Sequence, residues 1–427
     1  MKFQRIAGGI ALAALAASAV AAQAEKVVIL AGHVIAGPDG ERSGPATITV
    51  VDDKIESIVP GNQPVDGADK IVDLSSKTVL PGLIDLHVHL GSDPSGDWWR
   101  EAIETDEWIT LTNAKNARLT AKAGFTTVRD VGNDPRASAA QVRAEAMGWF
   151  PGPRIIWAGM PLSTIGGHGD VHGFRPEVMA ALEGQNTCTG ADECAALTRK
   201  TVREGAAVVK FMATGGVLSQ GDKSLGQAFT DSEMTSIIET SHALGVPVAA
   251  HAHADAGIHA ATMAGVDTIE HGTFLSEATA KEMKAHGTVL VPTLLAFKGI
   301  GEQLGKGFYT PAVEDKIRQT LGVFGQGCRR ARAAGVTVAF GTDSGVTAHG
   351  RNAEEFELLV DKCGMSPREA LASATTVAAK VLGMDQQIGR LAPGYSADII
   401  AVEGNPLEDA TALQHVDWVM AQGKIVD

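Results

Sequence analysis

The 427-residue chain carries 36 Lys and Arg against 50 Asp and Glu, a formal net charge of −14, with 44% hydrophobic residues and four cysteines. So acidic a surface does not suit nucleic acid or an anionic membrane as a partner. An α/β barrel takes roughly 250 residues, so one catalytic domain leaves a remainder to place.

In chain order, the first segment reads as an export signal. Lys2 and Arg5 precede an Ala/Leu/Ile/Val-rich run from Ile6 to Ala22, and Ala22-Gln23-Ala24 supplies the small residues that a signal peptidase needs. Cleavage after Ala24 predicts a soluble periplasmic or secreted protein without membrane attachment. Its charge shifts from −14 to −16, because residues 1–24 hold two basic and no acidic residues. The alternative, an uncleaved membrane anchor, is disfavoured by a run that is short and dominated by alanine.

Residues 26–79 then show strand-like runs such as Ala46-Thr47-Ile48-Thr49-Val50-Val51 and Lys54-Ile55-Glu56-Ser57-Ile58-Val59, with Asp52 and Asp53 turning between them. Residues 396–427 look alike, in Ser396–Val402 and Val416–Met420. Neither tail is long enough for its own core, so both are expected to build one small β-sandwich domain. Between them, eight short apolar or β-branched runs recur near 79–86, 126–130, 154–159, 207–212, 247–251, 268–271, 289–295 and 336–341. Several follow an Ala-rich helical pattern ending at a glycine: Gly124, Gly205, Gly245, Gly265, Gly287 and Gly335. Such a glycine reads as a left-handed helix stop that releases the chain into the next strand. The repeated unit predicts an α/β fold, a (β/α)8 TIM barrel of parallel strands with helical crossovers. The expected division is 1–24 signal peptide, 25–79 and 385–427 the two parts of the small β-domain, and 80–384 the barrel.

Chemistry-bearing residues fall where these runs stop. Pro81-Gly82-Leu83-Ile84-Asp85-Leu86-His87-Val88-His89 puts two histidines on one face of a strand end, a geometry that can chelate a metal ion. Alone, such a pair is more often a chance surface feature. Here Lys210, His251, His271 and Asp343 also end apolar runs, at the barrel face where active sites lie. In His251-Ala252-His253 either histidine can be the fifth-strand ligand. His251 is preferred because it follows the strand directly, leaving His253 for substrate. His168, in Gly166-Gly167-His168-Gly169-Asp170, opens toward the same face and is a second substrate-binding candidate beside the plainer reading of a solvated loop histidine. Thr214-Gly215-Gly216-Val217 lacks the Gly-Lys-Ser/Thr of a phosphate loop and is expected to shape the pocket. His33, His242, His259, His286, His349 and His415 read as structural, and Trp98 and Trp99 as lid, core or subunit contact. Cys188 and Cys194 bracket a turn-rich loop; an oxidising compartment would let them pair, and two buried thiols are the alternative.

This set of His87, His89, Lys210, His251, His271 and Asp343 resembles the amidohydrolase superfamily, in the subtype with a carboxylated lysine between two metals. The resemblance covers essentially the whole mature chain, including Gly124-Phe125-Thr126-Thr127-Val128-Arg129-Asp130, Gly341-Thr342-Asp343-Ser344-Gly345 and Leu391-Ala392-Pro393-Gly394-Tyr395-Ser396-Ala397-Asp398. It is greatest to the Xaa-Pro dipeptidase and imidazolonepropionase-like branch, which also holds ochratoxin A-hydrolysing amidohydrolases. The resemblance implies two divalent ions, zinc by default. His87 and His89 would hold the more buried ion, His251 and His271 the other, and Lys210 would bridge them as a carbamate formed with CO2. Asp343 would be both ligand and general acid/base. The implied activity is hydrolysis of the amide bond of a small-molecule N-acyl amino acid or dipeptide, ochratoxin A included. A lactonase or phosphotriesterase is the alternative, and a non-catalytic assembly module is disfavoured by the intact ligand set. A homo-oligomer is implied as well, with an octamer as one form.

Overall fold

The computed structural model describes residues 25–97, 99–100, 103–171, 173–182, 186–220 and 225–426. The expected signal peptide, residues 1–24, and Trp98 lie outside them. The fold is α/β, with strands β1 (Lys26–Val34), β2 (Ala46–Val51), β3 (Lys54–Pro60), β4 (Lys70–Pro81), β5 (Leu83–Val88), β6 (Phe125–Asp130), β7 (Arg154–Trp157), β8 (Val209–Met212), β9 (Val248–Ala252), β10 (Thr268–His271), β11 (Val289–Val291), β12 (Ile399–Val402), β13 (Val416–Ala421) and β14 (Lys424–Ile425). Both termini meet in one mixed sheet of seven strands, ordered β14-β13-β12-β4-β1-β2-β3. Its centre is β4, parallel to β1 on one side and antiparallel to β12 on the other. This sheet has its own apolar core, which includes Ile29, Ile48, Val50, Val79, Ile399 and Met420. Antiparallel bridging between Lys54 and Ser396 folds the β2–β3 hairpin back onto the chain entering β12.

The chain leaves this sheet through Gly82, where a Cβ would lie 2.1 Å from Thr126 Oγ1. Glycine is therefore needed where β4 turns into β5. Here the structure differs from the expected run at 79–86: its first residues belong to the terminal sheet, because Val79, Leu80 and Pro81 pair with β12. Beyond Gly82, strands β5, β6 and β7 form one parallel sheet, and β8 to β11 another. The run expected at 289–295 stops at Val291. Thr293 turns left-handed at φ 46°, and the helix Leu294–Gln303 begins with its first amides donating to Glu355. The run expected at 336–341 forms no ladder; Val338 makes one parallel bridge to Leu290. Two further parallel bridges, Leu162 to Phe211 and Val88 to Ser344, join the edges of the two sheets to each other and to this last segment.

All six glycines read as helix stops have positive φ, from 75° at Gly245 to 108° at Gly205. That left-handed turn costs glycine no side-chain clash, so the helix ends there and the next strand starts within a few residues. Cys188 and Cys194 form a disulfide; so do Cys328 and Cys363, a pair the sequence reading did not anticipate.

Candidate active site

The six strand-end residues converge on one cavity of about 300 Å³, together with His168 and His253. Asp343 Oδ1 lies 3.4 Å from His87 Nε2 and 3.2 Å from His89 Nε2. Two sets of three side chains place donor atoms within 4.8 Å of one another: His87, His271 and Asp343, and His251, His253 and His271. His253, expected to face substrate, thus also sits within ligand distance of His251 and His271. The His168 ring packs 4.4 Å from that of His251, so the glycine-rich loop does reach the cavity.

Backbone conformation accounts for part of this convergence. Strand side chains alternate, so Glu270 and His271 should point to opposite faces. His271 instead adopts φ 71°, which brings both side chains to the site. Asp343 (φ 60°) and Thr293 (φ 46°) are left-handed too, making three of the five described non-glycine residues with positive φ part of this site. A left-handed β-branched residue is strained by about 1–3 kcal/mol and needs surrounding bonds to hold it. Asp343 is held through its amide, which donates to the His87 carbonyl at 2.7 Å.

Behind the donors lies a buried polar layer. Glu270 Oε2 meets His87 Nδ1 at 2.8 Å, and its other oxygen accepts from Arg129 Nη2 at 2.8 Å and from the Thr268 hydroxyl. Burial raises the Glu270 carboxyl, but the Arg129 charge and His87 outweigh it and bring the pKa down to about 2. Asp85 Oδ1 accepts from the amides of His87 and Thr342, while its Oδ2 accepts from the Thr342 hydroxyl and Asn352. One carboxylate therefore fixes the His87 segment to the Asp343 loop. His89 Nδ1 donates to Gly132 O, and His271 and His253 pair through Nδ1 with the hydroxyls of Thr293 and Thr273 at 2.7 Å. His349, read as structural, is buried and donates through Nε2 to the His89 carbonyl.

These partners test whether the residues fit a metal. With Nδ1 turned to the Glu270 carboxylate and the Gly132 carbonyl, His87 and His89 both point Nε2 at the Asp343 carboxylate. Each Nε2 there must carry a proton or face a metal ion, since a bare lone pair against a carboxylate is repulsive. Burial raises the Asp343 carboxyl, yet His87 and His89 hold it well below the usual carboxylate range. Burial, reinforced by neighbouring positive charge, keeps His251 and His271 far below 6.5, hence neutral as ligands must be. Lys210 is 1% exposed and makes no ion pair among the described residues. Burial lowers its pKa to about 8, against the pull of Glu270 and Asp343, which favours the free amine that CO2 carboxylation requires. The donor set fits a two-ion centre.

Opposite the donors the cavity is apolar, lined by Met212, Val217, Leu218, Ala296, Phe297, Ile300 and Val346. His168 Nδ1 pairs with the Ser219 hydroxyl, and burial takes its pKa down to about 3. The Gly215-Gly216 segment does shape the pocket: a Cβ on Gly216 would sit 2.1 Å from His168 Nδ1. Sequence reasoning missed Glu270, Arg129, Asp85 and Thr293. For Asp85 a signal existed, an acidic residue two before His87 in an otherwise apolar strand; for Glu270 alternation pointed the wrong way.

The chain matches the amidohydrolase family over residues 78–426. It is 31% identical to ochratoxinase of Aspergillus niger over 431 aligned residues, spanning 94% of this chain and 87% of that protein. The crystal structure of a Xaa-Pro dipeptidase with methionine bound in its active site is similar at a TM-score of 0.88 and 34% identity, over 94% of this chain and 99% of that one. A prolidase complexed with N-methylphosphonate-L-proline gives 0.84 at 30% identity, over 94% and 99%.

Proposed function

Because this chain is a member of the amidohydrolase family, a hydrolase acting on C–N bonds, we propose that it cleaves the amide of N-acyl amino acids or dipeptides and releases the C-terminal amino acid. The observation that carries this reading is the cavity itself, lined by Lys210, six histidines and Asp343 together with apolar side chains. The relatives' named ligands support it: methionine is a free amino acid, and N-methylphosphonate-L-proline is an amino acid with a tetrahedral phosphonyl group where an acyl group would stand; ochratoxin, for which another relative is named, is an N-acyl amino acid.

His87, His89 and Asp343 would hold one divalent ion and His251 and His271 a second, with carboxylated Lys210 between them; zinc suits these donors, and manganese or cobalt would also fit. When bound, such ions lower the pKa of water and polarise a carbonyl oxygen. Asp343, ionised and buried, takes the proton of the attacking water through a carboxylate oxygen as the water's oxygen bonds to the carbonyl carbon. It then delivers that proton to the amide nitrogen as the C–N bond breaks, and the amine leaves neutral. His168 and His253 are placed to meet the scissile carbonyl or the substrate carboxylate, and the apolar wall excludes competing water.

The two parallel sheets and their three linking bridges support a closed eight-stave barrel beside a β-sandwich of both termini, over domains 25–79 with 385–427 and 80–384. Export after cleavage at Ala24 and assembly into a homo-oligomer belong to the same proposal; mass spectrometry of the mature N-terminus and light scattering test them.

A second reading, lactone or phosphotriester hydrolysis, is favoured by one observation: no arginine lines the cavity among the described residues. The deciding assay compares kcat/KM of the metal-loaded enzyme for N-acylphenylalanine, its C-terminal carboxamide, ochratoxin A, a lactone and paraoxon. A carboxylate-reading site rejects the carboxamide. Equal rates for acid and carboxamide, or faster lactone turnover, would replace the first reading with the second.

A further inference from the structure

One wall of the cavity is held from behind by a buried ammonium. Lys316, in helix Pro311–Leu321, is 5% exposed, and its Nζ donates to the carbonyls of Gly216 and Ser219, each at 2.8 Å. Its helix neighbours Val313 and Ile317 are wholly buried. An apolar side chain would fill this position without taking an ammonium out of water, so the charge calls for a reason. Two carbonyls three residues apart in one loop supply it: gripping both fixes the curvature of the segment between them. That segment carries Val217 and Leu218, which line the cavity, and Ser219, whose hydroxyl meets His168 Nδ1. Gly216, at its start, leaves just the room that the His168 ring occupies.

The geometry points to Lys316 as a positioning residue for substrate selectivity: it braces residues 216–219 as the wall against which an apolar amino-acid side chain packs, and keeps His168 turned to the cavity. The inference rests on the amide-hydrolase reading and adds to it that the released amino acid is bulky and apolar. Phe297, Ile300 and Val346 line the same cavity and pack in one apolar cluster with Val217 and Leu218. A side chain seated there contributes through lost water-exposed area, which depends on the wall standing still.

The test uses full-length, metal-loaded protein on N-acetylphenylalanine and N-acetylglycine. The wild type is expected to prefer the phenylalanine derivative by about 10–100-fold in kcat/KM. Lys316→Met should shrink that preference to about threefold or less, with the loss carried by KM, at unchanged metal content. Lys316→Arg, whose guanidinium can still donate to both carbonyls, should restore part of it. An undiminished preference in folded, metal-replete Lys316→Met overturns the inference. Should that variant fail to fold, Val217→Ala takes its place: a lowered preference supports the wall, an unchanged one overturns it. A wild type that cleaves neither substrate is failure of the amide-hydrolase reading instead. Calorimetry of phenylalanine and glycine binding then tests the wall without turnover, and equal selectivity in wild type and Lys316→Met overturns it.

Discussion

The two halves of the strand-end site are positioned by different chemistry. Around His87, His89 and Asp343 the supporting partners are ionised or backbone groups: Glu270 with Arg129, Asp85, and the Gly132 carbonyl. Around His253 and His271 they are threonine hydroxyls, of Thr273 and Thr293, while His251 Nε2 faces the Gly215 carbonyl at 3.3 Å. A carboxylate or carbonyl can only accept, so it fixes which ring nitrogen carries the proton, and a carboxylate also makes the opposite nitrogen more basic. A hydroxyl can donate or accept and fixes neither. The first half is thus pre-set for a cation, while His271 and His253 in the second can change tautomer at less cost.

The largest effect should come from groups shared by both halves. Asp343→Asn is expected to retain the fold and lower kcat by on the order of 10²–10⁴-fold, the cost of one lost proton acceptor; near-normal turnover would send the search for the base elsewhere. Lys210→Ala should lose metal as well as activity, with partial rescue by short carboxylic acids that stand in for the proposed carbamate, read by elemental analysis alongside rate. Next comes the asymmetry itself. Glu270→Gln keeps the shape but removes the charge, and should weaken metal binding by about 10–100-fold in a chelator competition, with activity recovering in excess metal. Thr293→Val, beside His271 on the other side, should cost less than that; an equal or larger loss of metal would erase the distinction between the halves. The smallest effect lies outside both. Burial raises the Glu145 carboxyl to about 7, against the pull of its Gln141 hydrogen bond. Folding therefore favours the protonated form: this group's contribution to stability is greatest below pH 4.5, falls as the pH rises to 7, and is flat beyond. Glu145→Gln should remove this loss, gaining on the order of 1 kcal/mol at pH 8 and nothing at pH 4. Melting curves at the two pH values check the sign.

What the sequence disclosed and what it hid follow from the range of the interactions. Glycine stops and apolar runs are local, so Gly124 to Gly335 and seven of the expected strands are found where periodicity put them. The strand-end donors were visible because their positions repeat from unit to unit. Glu270 was not, since its role depends on the left-handed turn at His271, which reverses the alternation that a reader would assume. Arg129 hides for a similar reason: it looks like one more polar residue of a strand until Glu270, 141 residues later, faces it. The Cys328–Cys363 pair ties the helix Gln326–Ala333 to the turn after the helix Glu354–Asp361, 35 residues on, with no short bracketing loop to suggest it. Residues 336–341 read as a strand and carry the Asp343 loop, yet they contribute a bridge rather than a ladder.

The place of β4 at the centre of the terminal sheet has a consequence for how the protein is made. Its partner β1 is synthesised before it, but β12 emerges only after the whole catalytic region, and Thr78 waits for Gly404, 326 residues downstream, to accept its hydroxyl. Throughout elongation the strand presents an open row of amides and carbonyls to any chain that can pair with it. The last thirty or so residues act as a closing clasp, and a ribosome that stalls before β12 leaves behind a molecule with its catalytic strands complete and a sticky edge beside them.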